Sequence, residues 1–178
     1  MDDAKGRTAE MAAAFREIFD AEPTHVTIGP GRVNLIGEHT DYNEGFVMPC
    51  AVEYHTLVAV SPREDDQVEV LAVDWSGETD RFTLAGDIVF HATQMWSNYI
   101  RGIVREMQDR GYGLVGCNIA VSGNVPQGAG LSSSAALEVG LVRALAEMSN
   151  LSLDVVEMAA IGQAAENNFV GCACGIMD

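Results

Sequence analysis

The chain has 178 residues, 48% hydrophobic and 20% charged, which fits one globular domain, or one domain plus part of a second, and excludes a disordered polymer. Its 26 acidic and 10 basic residues leave a net charge of −16 with Lys5 the single lysine, so nucleic acid, which needs clustered Lys and Arg, is not an expected partner. No run of 18 apolar residues suggests a membrane span, and the polar, acidic start Met1-Asp2-Asp3-Ala4-Lys5 reads against a secretory leader, so a soluble cytoplasmic protein is expected.

Met11, Phe15, Ile18 and Phe19 recur at helical spacing and predict a first helix over 8–20. Residues 24–28 read as a short strand running into Pro30-Gly31. The stretch that follows, Gly31-Arg32-Val33-Asn34-Leu35-Ile36-Gly37-Glu38-His39-Thr40-Asp41-Tyr42-Asn43, packs Arg, Glu, His and Asp into a few positions framed by glycines. Charged side chains are seldom buried unless paired or used, so this turn reads as a polar-ligand site. A neutral ligand rich in hydroxyls suits Glu38, His39 and Asp41, because each hydroxyl both donates and accepts. His39 can also be read as a satisfied turn residue.

Further strands are predicted at 46–52, 56–60, 67–73 and 81–84, with the acidic turn 61–66 between the second and third. A helix over 94–110 carries the stripe Trp96, Tyr99, Ile100, Ile103, Val104 and Met107, read as core packing. A strand over 117–122 leads into Pro126-Gln127-Gly128-Ala129-Gly130-Leu131-Ser132-Ser133-Ser134 and a helix over 133–148. Glycines admit close backbone approach, and a helix start offers open N–H groups and partial positive charge, so this segment is an anion-site candidate. A plain glycine turn capped by serine is the competing reading. No Gly-Lys-Ser or Gly-Lys-Thr occurs, which excludes a Walker A loop. The last helix, 155–169, has Asp154 as its N-cap or first-turn acid and carries Glu166, which alone reads as a surface residue. The element order predicts α+β with a mixed, largely antiparallel sheet packed with helices. Cys50, Cys117, Cys172 and Cys174 lack zinc spacing and read as free, mostly buried thiols.

Three segments together, Pro30 to Asn43, Pro126 to Ala136 and Gln163 to Asp178, resemble galactokinases within the GHMP kinases. The resemblance implies the N-terminal domain of that fold, ATP as co-substrate, Mg2+ as cofactor and galactose as substrate. It assigns Gly128, Ala129, Gly130, Leu131, Ser132, Ser133 and Ser134 to ATP, and Ser134 and Glu166 to Mg2+. In the word Gly175-Ile176-Met177-Asp178 it makes Asp178 the catalytic base, with Arg32 pairing with it and stabilising the transferring phosphoryl group. Glu38, His39, Thr40, Asp41 and Gly175 then hold the sugar. The implied reaction is phosphorylation of the C1 hydroxyl of α-D-galactose. An N-acetylgalactosamine kinase, a mevalonate-type kinase and a non-catalytic galactose sensor are the alternatives. Galactokinases continue beyond the position of Asp178 into a second domain, so the expectation is a catalytic half with little activity alone, exposed apolar surface and the missing C-terminal half as partner.

Overall fold

The computed structural model describes residues 2–37 and 39–177. The elements run α1 (Asp2–Phe19), β1 (His25–Asn34), a 3-10 turn (Asp41–Asn43), β2 (Pro49–Pro62), β3 (Gln67–Ala72), β4 (Glu78–Thr83), α2 (Ser97–Asp109), β5 (Cys117–Gly123), α3 (Ser133–Met148), α4 (Val155–Ala164) and a π-helical turn (Ala165–Val170). The strands form one five-stranded sheet in the order β1-β2-β5-β3-β4. β3 and β5 are parallel, and every other pairing is antiparallel, as the α+β reading expects.

Strand alternation sorts the core into two layers. Val58, Val60, Val68, Val70, Ile119 and Val121 point to the side covered by α2, α3 and α4, where Ile100, Ile103, Leu141 and Leu145 meet them. Leu57, Ala59, Leu71 and Ala120 point to the other side, where Met11 and Phe15 of α1 cover them. Burying a side chain of this size stabilises by roughly 1.5–3 kcal/mol, so both layers hold the sheet. At the far edge Arg101 of α2 grips Asp80 of β4 through two bonds of 2.8 and 2.7 Å and stacks over Phe82. Burial alone would raise the Asp80 pKa, but the hydrogen bonds and charge of Arg101 outweigh it and hold the group below its ordinary value.

Several boundaries differ from the sequence reading. β1 does not stop before Pro30 but runs to Asn34, with a bulge between Pro30 and Arg32. It is an edge strand, where a missing N–H and a bulge are tolerated. The strands expected at 46–52 and 56–60 are one strand, β2, that begins only at Pro49. The final helix ends at Ala164, and the next six residues widen into π geometry. Asp154 caps α4 as expected, accepting from the N–H of Glu157 at 2.8 Å. All four cysteines are thiols rather than disulfides, but only Cys117 is buried; Cys50 and Cys172 are exposed. No helix among the described residues is long and apolar enough to cross a membrane.

Candidate active site

β1 is the floor on which the site is assembled. Its residues facing α3 are Thr27, Gly29 and Gly31, small enough for the helix to lie directly on the strand. A Cβ on Gly29 would lie 1.9 Å from the carbonyl oxygen of Ala136, and the Thr27 hydroxyl donates to the carbonyl of Gly140 at 2.7 Å. One step along, the Arg32 N–H donates to the Leu131 carbonyl at 3.0 Å, which joins the charged signature to the glycine turn.

The turn between β5 and α3 has left-handed backbone at Gly128, Gly130 and Ser132. Glycine adopts that conformation without penalty; serine does not, and such strain gathers at ligand clamps. Ser132 stands at the N-cap position of α3, yet its side chain makes no capping bond, and its hydroxyl is buried without a partner. The capped-turn reading therefore fails, since the Ser132 hydroxyl satisfies none of the first N–H groups of α3. Gly128, Ser133 and Ser134 line a cavity of about 750 Å3 that is also lined by Trp75, Trp96 and Tyr99. That size suits a cofactor or nucleotide. The two indole rings stack at 6.2 Å with 13° between their planes, and the Trp96 N–H donates to Glu78 at 2.7 Å. Asp74 fixes the cavity floor by accepting from the Gly123 N–H at 2.6 Å.

Glu166 is not the surface residue its sequence context suggests; it is 6% exposed. The π turn presses it against Glu138, which is 1% exposed and lies one helical turn after Ser134. Burial first, then the charge of Glu166 and a hydrogen bond with it, push the Glu138 carboxyl up to about 9. Tyr99 is raised as well, mainly by burial and then by Glu166, so the phenol on the cavity wall and the acid pair share one neighbourhood.

The charged signature continues into a tight loop after β1. Asp41 opens the 3-10 turn, and one of its carboxylate oxygens accepts from the Met177 N–H at 3.3 Å. A Cβ on Gly175 would lie 1.7 Å from that same oxygen, so the loop 175–177 closes on Asp41 only because residue 175 is glycine. Thr40 spends its hydroxyl inside the loop, against the carbonyls of Gly37 at 2.6 Å and Phe46 at 2.8 Å. His39 takes left-handed backbone, meets the Tyr42 hydroxyl through Nδ1, and its carbonyl accepts from Asn43 at 2.8 Å. Both are thus loop-building residues, with the exposed imidazole of His39 still facing outward. Glu38 and Asp178 lie outside the described residues. The structure therefore joins Arg32 to the glycine turn, and Asp41 to Gly175. Ser134 opens α3 on the cavity wall, and Glu166 of the π turn is buried beside Glu138, one helical turn further along α3.

Trp75, Trp96, Tyr99 and Glu138 were not legible as site residues. Trp96 and Tyr99 continue a core stripe whose other members are fully buried, but these two are half-buried and face the cavity. Glu138 did leave a signal: it shares the helical stripe of Leu141 and Leu145, where an acid is out of place.

A galactokinase galactose-binding signature matches residues 13–62, and a GHMP kinase N-terminal domain matches residues 98–178. The chain belongs to the GHMP kinase family. It is 33% identical to Lactococcus lactis galactokinase, crystallised with galactose, at a TM-score of 0.87 over 96% of this chain and 45% of that one. Methanococcus jannaschii mevalonate kinase aligns at 20% identity and a TM-score of 0.72, covering 86% of this chain and 49% of that one. Streptococcus pneumoniae phosphomevalonate kinase, in complex with phosphomevalonate and AMPPNP, aligns at 16% identity and a TM-score of 0.62, covering 84% and 46%. These last two share the GHMP fold. The chain thus spans about half the length of the solved relatives it matches.

Proposed function

We propose that this GHMP kinase chain binds galactose and ATP as part of an enzyme that transfers the γ-phosphoryl group to the C1 hydroxyl of the sugar. The observation that carries this reading is the closure of the loop 175–177 on Asp41, which ties the sugar signature to the Gly175-Ile176-Met177-Asp178 word. The likeness to a galactokinase crystallised with galactose supports the same substrate.

On this reading Asp41, the Gly175 backbone, Glu38 and His39 hold the ring hydroxyls and aim C1 at the phosphate, with Thr40 shaping the loop. Asp178 accepts the C1 hydroxyl proton as that oxygen bonds to the γ-phosphorus and the bond to the β,γ-bridging oxygen breaks, releasing ADP. Arg32, whose own N–H bonds to Leu131 of the glycine turn, would offset charge on the transferring group. The glycine turn with Leu131, Ser132 and Ser133 takes the phosphates on its backbone N–H groups, and the cavity with Trp75 and Trp96 takes the base. The donor set fits Mg2+: a serine hydroxyl and a buried carboxylate are hard oxygen ligands, and the adjoining Glu138 leaves one carboxyl oxygen buried without a partner. Ser134 and Glu166 would hold the ion, which when bound neutralises phosphate charge.

Calorimetry with galactose and with Mg-ATP, followed by an ADP-release assay over a sugar panel on the longest natural chain, tests this. Binding of both ligands and a C1-phosphorylated galactose product are expected. Turnover of mevalonate with no hexose turned over would overturn the sugar assignment.

A further inference from the structure

The two tryptophans of the chain come from separate elements: Trp75 lies on the turn between β3 and β4, and Trp96 stands at the N-cap position of α2. A hairpin tip and a helix start share no ladder of backbone bonds, so side chains must keep the two rings face to face. The tip is ordered within itself, with the Trp75 N–H donating to the Ala72 carbonyl at 3.2 Å and the Glu78 N–H to the Trp75 carbonyl at 2.9 Å. Asp74 pins one side of the tip to β5, accepting from the Gly123 N–H at 2.6 Å and the Ser122 hydroxyl at 3.3 Å. The other side is tied to the helix start by Glu78, whose Oε2 accepts from the Trp96 indole N–H at 2.7 Å. Gln94 adds a second tie, donating from its amide to the Thr79 carbonyl at 3.3 Å. Glu78 is thus three residues from one ring and bonded to the other. An indole has a single donor, so this bond fixes how the Trp96 ring is turned. Glu78 is itself exposed and lines the cavity together with Asp74, where a carboxylate works against a bound polyanion. Its place there is explained by the ring it holds.

We infer that Glu78 is a positioning residue that keeps the Trp96 ring parallel to Trp75 and so sets the platform on which a nucleobase stacks. This rests on the proposed function, in which this cavity takes the base. Stacking of a base on an aromatic side chain is worth about 5- to 150-fold in affinity.

The test compares Glu78→Ala with Glu78→Gln, which removes the same charge but keeps a carbonyl oxygen for the indole N–H. Calorimetry measures AMPPNP and inorganic tripolyphosphate, each with Mg2+, and the readout is the ratio of the two affinities. Any effect of the lost charge on the phosphates cancels in that ratio. Circular dichroism reads the ring pair itself, since stacked indoles give an exciton couplet that Trp75→Phe removes. E78A is expected to lower the ratio at least about fivefold and to lose the couplet. E78Q is expected to keep the couplet and to stay within about twofold of the parent ratio. An unchanged ratio in E78A overturns the inference, as does a fall in E78Q as large as that in E78A. An E78A chain that loses the ratio but keeps the couplet makes Glu78 a direct base contact and overturns the positioning role. A parent that shows no couplet, or binds AMPPNP no more tightly than tripolyphosphate, overturns the inference and leaves the phosphate and sugar reading standing. One that binds neither anion overturns the nucleotide reading as well.

Discussion

Asp41 carries two duties with one carboxylate, closing the loop at Met177 and facing the proposed sugar pocket. Asp41→Ala is expected to lower galactose affinity by about 10- to 100-fold, the worth of a charge-assisted hydrogen bond, while nucleotide affinity is unchanged. Gly175→Ala should give the same pattern by steric means, since its Cβ overlaps the Asp41 oxygen. Calorimetry on both variants checks this, and loss of nucleotide binding alone would contradict it. Asp80 makes a purely structural prediction. Its pKa is depressed in the folded state, so its stabilising contribution is complete above the unfolded value of about 3.9 and is lost as pH falls through the folded value. Asp80→Asn leaves Arg101 buried without its counter-charge, which costs about 3–5 kcal/mol. Urea melts across acid pH should show that loss at neutral pH and a flatter acid limb. Cys117, whose thiol burial pushes up to about 12, should resist thiol reagents until the chain unfolds, whereas exposed Cys50 and Cys172 react at once.

Elements differed in how far their sequences disclosed them. The stripe Ile100, Ile103, Val104, Met107 is a one-sided helix pattern that depends on no partner, and α2 forms there. The strand, glycine turn and helix at 117–148 were equally open to reading, because each boundary is marked by glycine or proline. β1 beyond Pro30 was not, since proline argues for a break unless the strand is known to lie at an edge, and edge position is a property of the whole sheet. The start of β2 at Pro49 and its unbroken run to Pro62 are likewise set by pairing with β1 and β5. The π turn at 165–170 depends on packing against α2 and is invisible in any local pattern. The same holds for the candidate site: Arg32, Asp41 and the glycine turn stood out by composition, while Trp75 and Trp96 join the cavity only through contacts distant in sequence. Gly29→Ala tests the most exacting of these contacts. Its Cβ would lie inside the van der Waals envelope of the Ala136 backbone, so a loss of at least about 1–3 kcal/mol in stability is expected, together with weaker nucleotide binding.

Across the molecule, strong negative charge is combined with apolar surface. Phe46 is 98% exposed, and with Leu35, Ile36 and Met48 it belongs to an arm whose two halves are joined by backbone bonds. Charge repulsion at −16 opposes self-association, and salt screens it within about 8–10 Å at physiological ionic strength. Sedimentation should therefore show self-association rising with salt, reduced by Phe46→Ser; a monomer at every salt concentration would argue against this. The bond from the Arg32 N–H to the Leu131 carbonyl has its own consequence. The strand leading to the proposed sugar loop and the turn proposed for the nucleotide share a seam, so a ligand that quiets one margin should slow deuterium uptake on the other. Galactose and nucleotide would then each favour retention of the other, a mutual reinforcement built into a single peptide contact.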